Sequence, residues 1–155
     1  LVLTLLAVSG MQGSLMQERM TSAQRDGMIA LDSAEGAIPA IETVLASFST
    51  ADYGSINGFY DIGTAVPDPF ADATWDPTGT ASVAAPTVNG ITPRYFVEYR
   101  GPIDLNAQEE LPRNLANGGV TAAVDGEVAR VVIMAPGPSG IGRRILEGFI
   151  VYATP

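Results

Sequence analysis

The chain has 155 residues, enough for one domain with a substantial core. Its 8 basic residues, all Arg, face 17 acidic ones for a net charge of −9, and a surface that acidic repels phosphate backbones, which argues against nucleic acid as a partner. With no His and no Cys, imidazole catalysis, thiolate chemistry, disulfides and Cys/His zinc sites are excluded. Only 16% of residues are charged, while Gly and Pro number 17 and 11, so the composition is that of a turn-rich chain that folds.

Residues 1–17 carry no charge, and their opening run LVLTLLAVSGM is dominated by large aliphatic side chains. A bilayer span takes about 20 mainly apolar residues. Residues 1–16 fall short of that, and Ser9, Gly10, Gln12, Gly13 and Ser14 interrupt them. Because the chain starts at Leu1 in mid-run, the expectation is the outer half of a transmembrane or filament-core helix that continues upstream. Its packing residues are Leu1, Val2, Leu3, Leu5, Leu6 and Val8. A buried core helix or the remnant of a secretory signal is the alternative reading of the same run.

Beyond residue 17 the pattern turns amphipathic. Leu31, Ala34, Ile38, Ile41, Leu45 and Phe48 recur at helical spacing and predict a core stripe buried against a sheet. Extended backwards, the stripe passes near Met20, Gln24 and Met28. Residues 1–47 as one helix would be about 70 Å long, against a radius of gyration of about 15 Å for a compact chain of this size, so the apolar end projects from the fold. Pro39 predicts a bend or break, and Gly10 and Gly13 weaken the helix farther up.

Residues 49–92 form a long connection rich in Gly, Pro, Asp, Thr and Ala, with Tyr53, Phe59, Tyr60, Phe70 and Trp75 as aromatic anchors. Three β-like runs follow at 94–100 (RYFVEYR), 128–135 (VARVVIMA) and 144–153 (RILEGFIVYA). The turn PGPSGIGR joins the second and third as an antiparallel hairpin. Turn signals at Asn117-Gly118-Gly119 and Asp125-Gly126 around VTAAV predict a fourth short strand.

The segment LVLTLLAVSGMQGSLMQERMTSAQRDGMIALDSAEGAI resembles the N-terminal helix of the PilX family of minor pilins of the type IV pilus. In that family an apolar run passes through a Gln-Glu-Arg/Lys-Met step, an Arg-Asp pair and an Ala-Glu-Ala-like segment. The matching residues are Gln17-Glu18-Arg19-Met20, Arg25-Asp26 and Ala34-Glu35-Gly36-Ala37, with Gly36 where the family has Ala. PRYFVEYRG at 93–101 and the closing hairpin resemble the family's carboxyl region, without the disulfide that closes it in many pilins. The resemblance implies an α+β, pilin-like fold, a long N-terminal helix packed on a 3-4 stranded antiparallel sheet. Residues 1–17 would be the transmembrane or filament-core segment and 18–155 the globular head.

The same resemblance implies a non-enzymatic minor pilin without cofactors. It would sit in the bacterial inner membrane with a periplasmic head before assembly, and in the pilus at the cell surface afterwards. Its place would be in a minor-pilin complex that primes assembly and occupies the pilus tip. The implied partners are other minor and major pilins, a pilus-tip adhesin, and the lipid bilayer before assembly. A minor pseudopilin of type II secretion is the alternative of the same fold. A membrane-tethered periplasmic enzyme or ligand-binding domain is the alternative from another class.

Glu18, Arg19, Arg25 and Asp26 stand where the uncharged run ends, either as surface pairs on the helix or as assembly contacts to neighbouring subunits. Asp61, Asp68, Asp72 and Asp76 could offer oxygens to calcium, but their spacing is not that of an EF-hand loop and a solvated acidic loop is the plainer reading. Glu109-Glu110 with Glu98 lack the separation of a catalytic carboxylate pair. Ser139 has no His to serve it and reads as a turn residue, and Arg143-Arg144 reads as a solvated pair at a strand start.

Overall fold

A computed structural model describes residues 2–104 and 125–153, with side chains for residue 2, 11–103 and 126–153. Helix α1 spans Val2–Gly36 and α2 spans Ile38–Leu45. Pro39 sits in the first turn of α2, where its missing N–H leaves no helical bond unmade. The break that this proline predicts falls at Ala37, whose N–H donates to the Ala34 carbonyl at 3.2 Å.

The joint divides the apolar stripe in two. In α1 the residues buried against the sheet are Ala30, Ser33 and Ala34, followed by Ala37 at the joint; in α2 they are Ile41 and Leu45, with Ile38 and Phe48 half-buried beside them. Leu31, expected in the stripe, is instead 39% exposed, one position round from Ala30 on the face turned from the sheet. Met20 and Met28 are exposed as well. The packed face of α1 is made of small residues, so the helix can approach closely, and Ser33 Oγ satisfies itself on the Ile29 carbonyl at 2.8 Å. Gly36 comes close to Val88: a Cβ there would stand 2.8 Å from Val88 Cγ1, so the Ala found at this place in the PilX pattern would require Val88 to shift.

Among the described residues five strands form one sheet: β1 Phe59–Tyr60, β2 Val83–Ala84, β3 Arg94–Asp104, β4 Asp125–Pro136 and β5 Arg143–Tyr152. Their order is β1-β3-β4-β5, with β2 also on β3. The expected hairpin is β4–β5, antiparallel, with Arg130 opposite Phe149 and Val132 opposite Glu147. β3 and β4 are antiparallel too, with Arg100 bulged out between Tyr99 and Gly101. The sheet is nevertheless mixed and not purely antiparallel as expected, because β1 runs parallel to β3. Residues 49–58 carry the chain round to the far edge, where Val97 N–H bonds the Gly58 carbonyl at 2.8 Å and Phe59 enters the core. The fourth strand expected at VTAAV lies outside the described residues.

Far from being structureless, the connection holds β1, β2 and two 3₁₀ turns, Thr50–Asp52 and Asp72–Trp75. Its anchors are Tyr53, Phe59 and Trp75, all buried, whereas Phe70 is exposed and anchors nothing. On the helix side of the sheet, Tyr95, Val97, Tyr99, Ala129, Val131 and Ile133 meet Ile41 and Leu45. On the other side, Trp75 packs with Phe96, Val132 and Met134, its indole N–H held by the Pro69 carbonyl at 2.8 Å. Helix, sheet and loop therefore make three layers around two cores.

Candidate functional site

A run of exposed apolar residues lies on α1 above its contact with the sheet. Residues 11–25 are all exposed, and Met11, Leu15, Met16 and Met20 stand out among them. Lower down, Met28 is 71% exposed on the side opposite the buried Ala30, and Leu31 is 39% exposed beside the packed face. Methionine is unbranched and polarizable, suited to packing against varied partners. The periodicity that suggested one stripe had merged this outward face with the inward one.

Of the apolar packing residues expected at the start of the chain, Val2 is exposed, and the side chains of Leu1, Leu3, Leu5, Leu6 and Val8 lie outside the described residues. Among the described residues no helix is long and apolar enough to cross a membrane.

The four charges near the end of this run divide. Glu18, Arg19 and Arg25 are exposed and form no ion pair among the described residues. Asp26 instead fastens the helix to its own sheet. Its carboxylate accepts the Ser139 N–H at 2.8 Å and the Ser139 hydroxyl at 2.9 Å, across the β4–β5 turn. Gly137 in that turn lies so close that a Cβ there would overlap the Asp26 carboxylate. Ser139 is thus a turn residue with a partner 113 positions away. Arg144 lies across Gly27 on the same side of the helix.

The acidic loop does not converge. Asp61 accepts the Ile62 N–H, Asp68 the Phe70 N–H, Asp76 the Thr78 N–H and hydroxyl, and Asp72 pairs with Arg143 at 2.6 Å. The Thr78 hydrogen bonds hold the Asp76 carboxyl below the usual range. Glu98 is buried on the back of the sheet between Arg100 and Arg130, at 2.8 and 3.0 Å, and Arg130 also reaches Glu147 at 2.7 Å. Each of these carboxylates has a structural partner, and Glu109-Glu110 lie outside the described residues. Where α2 ends, Tyr53 and Tyr152 share a hydrogen bond of 2.6 Å, and Tyr99 donates to Glu127 at 2.5 Å. Burial first, then this bond, pushes the Tyr99 phenol up to about 12. Among the described residues no nucleophile, base and pocket are aligned.

Sequence reasoning missed the outward methionine face and the Asp26 fastening. The first had a signal, the spacing of Met16, Met20 and Met28 at multiples of four. The second had none, since nothing local to Asp26 points to Ser139. Residues 1–39 match the family model described as PilX N-terminal. No curated protein and no solved structure matches the chain.

Proposed function

We propose, from the premise of a PilX-type segment over residues 1–39, that this chain is a minor pilin taking part in type IV pilus assembly. The observation that carries the reading is the exposed apolar side of α1, with Met20 at 65% exposure on a stretch exposed all round and Met28 at 71% opposite the buried Ala30. Such a face is unstable in water and becomes stable against a second apolar surface. Before assembly the uncharged residues 1–17 rest in the inner-membrane bilayer with the head in the periplasm. In the pilus at the cell surface, the same residues and the methionine face pack against helices of other pilins, so one apolar environment replaces another at low net cost. Residues 18–155 form the head, which contacts other minor pilins and a tip adhesin in a complex that primes assembly. The role is structural and not enzymatic.

Exposed Glu18 and Arg19 then become contacts to neighbouring subunits, where partial desolvation raises their worth above the ~0–1 kcal/mol of a surface pair. Deleting the gene and scoring surface pili and secretion separately tests the system to which the chain belongs: loss of pili with secretion intact is expected. Co-purification from membranes tests the surface. Glu18→Arg, Arg19→Glu and Met20→Glu should each lower recovery with other minor pilins while the head melts as before. Unchanged recovery in all three would remove this helix face from assembly.

A further inference from the structure

Strand β5 ends the sheet: β4 is its neighbour on one side, and no described strand pairs with the other. The Gly137 N–H donates to the Gly142 carbonyl at 2.7 Å, which sets the phase of the antiparallel ladder. Counted along the register from that pair, Arg144, Leu146, Gly148, Ile150 and Tyr152 turn their backbone groups to β4. Arg143, Ile145, Glu147, Phe149 and Val151 turn theirs outward. Folded proteins blunt such edges with Pro, Lys, a bulge or a covering segment. β5 has no Pro and no break in register over 10 residues; its charges are Arg143 and Arg144 at its start and Glu147, and beyond them Phe149 and Val151 are 61% and 49% exposed.

A groove lies along the same edge on the helix side. It has a volume of about 220 Å³ between α2 and β5 and is lined by Ile38, Val131, Ile133, Leu146 and Ile150. Gly148 leaves it open, since a Cβ there would meet nothing within 4 Å. Glu42 stands at its rim, exposed and without an ion pair among the described residues. A backbone row with no partner among the described residues and an apolar slot beside it are the two parts of a strand-addition site: the backbone supplies affinity and the slot selects a side chain.

We propose that the β5 edge receives an extended segment of a partner polypeptide, apolar at alternate positions with a basic residue beside them. It pairs with the outward groups of Glu147, Phe149 and Val151. One of its apolar side chains enters the groove beside Gly148, and its basic residue meets Glu42 on the same side of the sheet. A second copy of this chain is a poor occupant, because antiparallel pairing along the whole edge sets Glu147 against its own counterpart. The site lies on the head and makes no use of α1, so it goes beyond the filament reading and stands or falls apart from it.

The test uses the full chain and a displayed library of short peptides with apolar residues fixed at every second position. Gly148→Leu fills the groove, and Phe149→Pro removes one outward N–H without touching the β4 ladder. Selected peptides should carry Lys or Arg and lose about tenfold or more in affinity for each variant, with the thermal midpoint of Gly148→Leu unchanged. Binding should slow amide exchange at Glu147, Phe149 and Val151. Recovery of no peptide, binding that survives Gly148→Leu, or protection elsewhere overturns the proposal. So does a concentration-dependent dimer that Gly148→Leu dissolves, which would give the edge to a second copy.

Discussion

Replacing Asp26 and Gly137 by Ala, singly and together, measures how the long helix is fastened to the sheet. Asp26 accepts two hydrogen bonds from Ser139 at 2.8 and 2.9 Å at a half-buried position. At about 0.5–1.5 kcal/mol net per bond, and toward the low end because water reaches them, Asp26→Ala should cost about 1–2 kcal/mol. Gly137→Ala should cost a similar amount for the same reason: its Cβ would occupy the space of the carboxylate, which must swing aside and give up those bonds. With Asp26 already shortened, the new methyl meets nothing it displaces, so the double variant should be little worse than either single one. The cycle then gives a coupling of about 1–2 kcal/mol, well above the ~0.3–0.5 kcal/mol within which independent sites add. Urea unfolding followed by circular dichroism reads the free energies directly. In thermal melts each single variant should lose about 2–6 °C. Additive costs would show that Asp26 and the turn do not touch in solution and that Asp26 is a solvated charge free for contact with other subunits.

Leu45 is fully buried where α2 meets the sheet, so Leu45→Asp should cost more than about 4 kcal/mol and Ile41→Ala about 2–5 kcal/mol; a melting midpoint within a few degrees of the parent for either would refute the packing described. The chain should also lose stability in alkali. The Tyr99 phenol is raised from 10.0 to about 12 in the fold, so its contribution is whole below about pH 10 and is lost as the pH rises from there through about 12. Urea midpoints measured across that window should fall, and fall less steeply in Tyr99→Phe; a flat profile would mean that the phenol is not held by burial and Glu127.

Periodicity and turn chemistry are local, and what they dictate was legible in the residues alone. The long helix, its break near Pro39, the three long strands and the β4–β5 hairpin follow from spacing, proline and the PGPSGIGR turn. The PilX resemblance was legible for the same reason, being carried by a continuous stretch of helix. Tertiary structure decided what depends on residues far apart. Two-residue β1 has no pattern of its own and is a strand only because β3 offers it an edge, which is what makes the sheet mixed. Leu31 has the spacing of a core residue, yet Ala30, one position away, takes the packed face beside Ala34, because a close helix rewards small side chains. Asp26 reads as one more helix charge until the fold brings Ser139 to it, and Gly148 reads as a strand defect until β5 proves to be an edge with a groove beside it. A sequence states which residues prefer to be buried or bent; only closure of the chain on itself settles which neighbour each one meets and which surfaces are left without one.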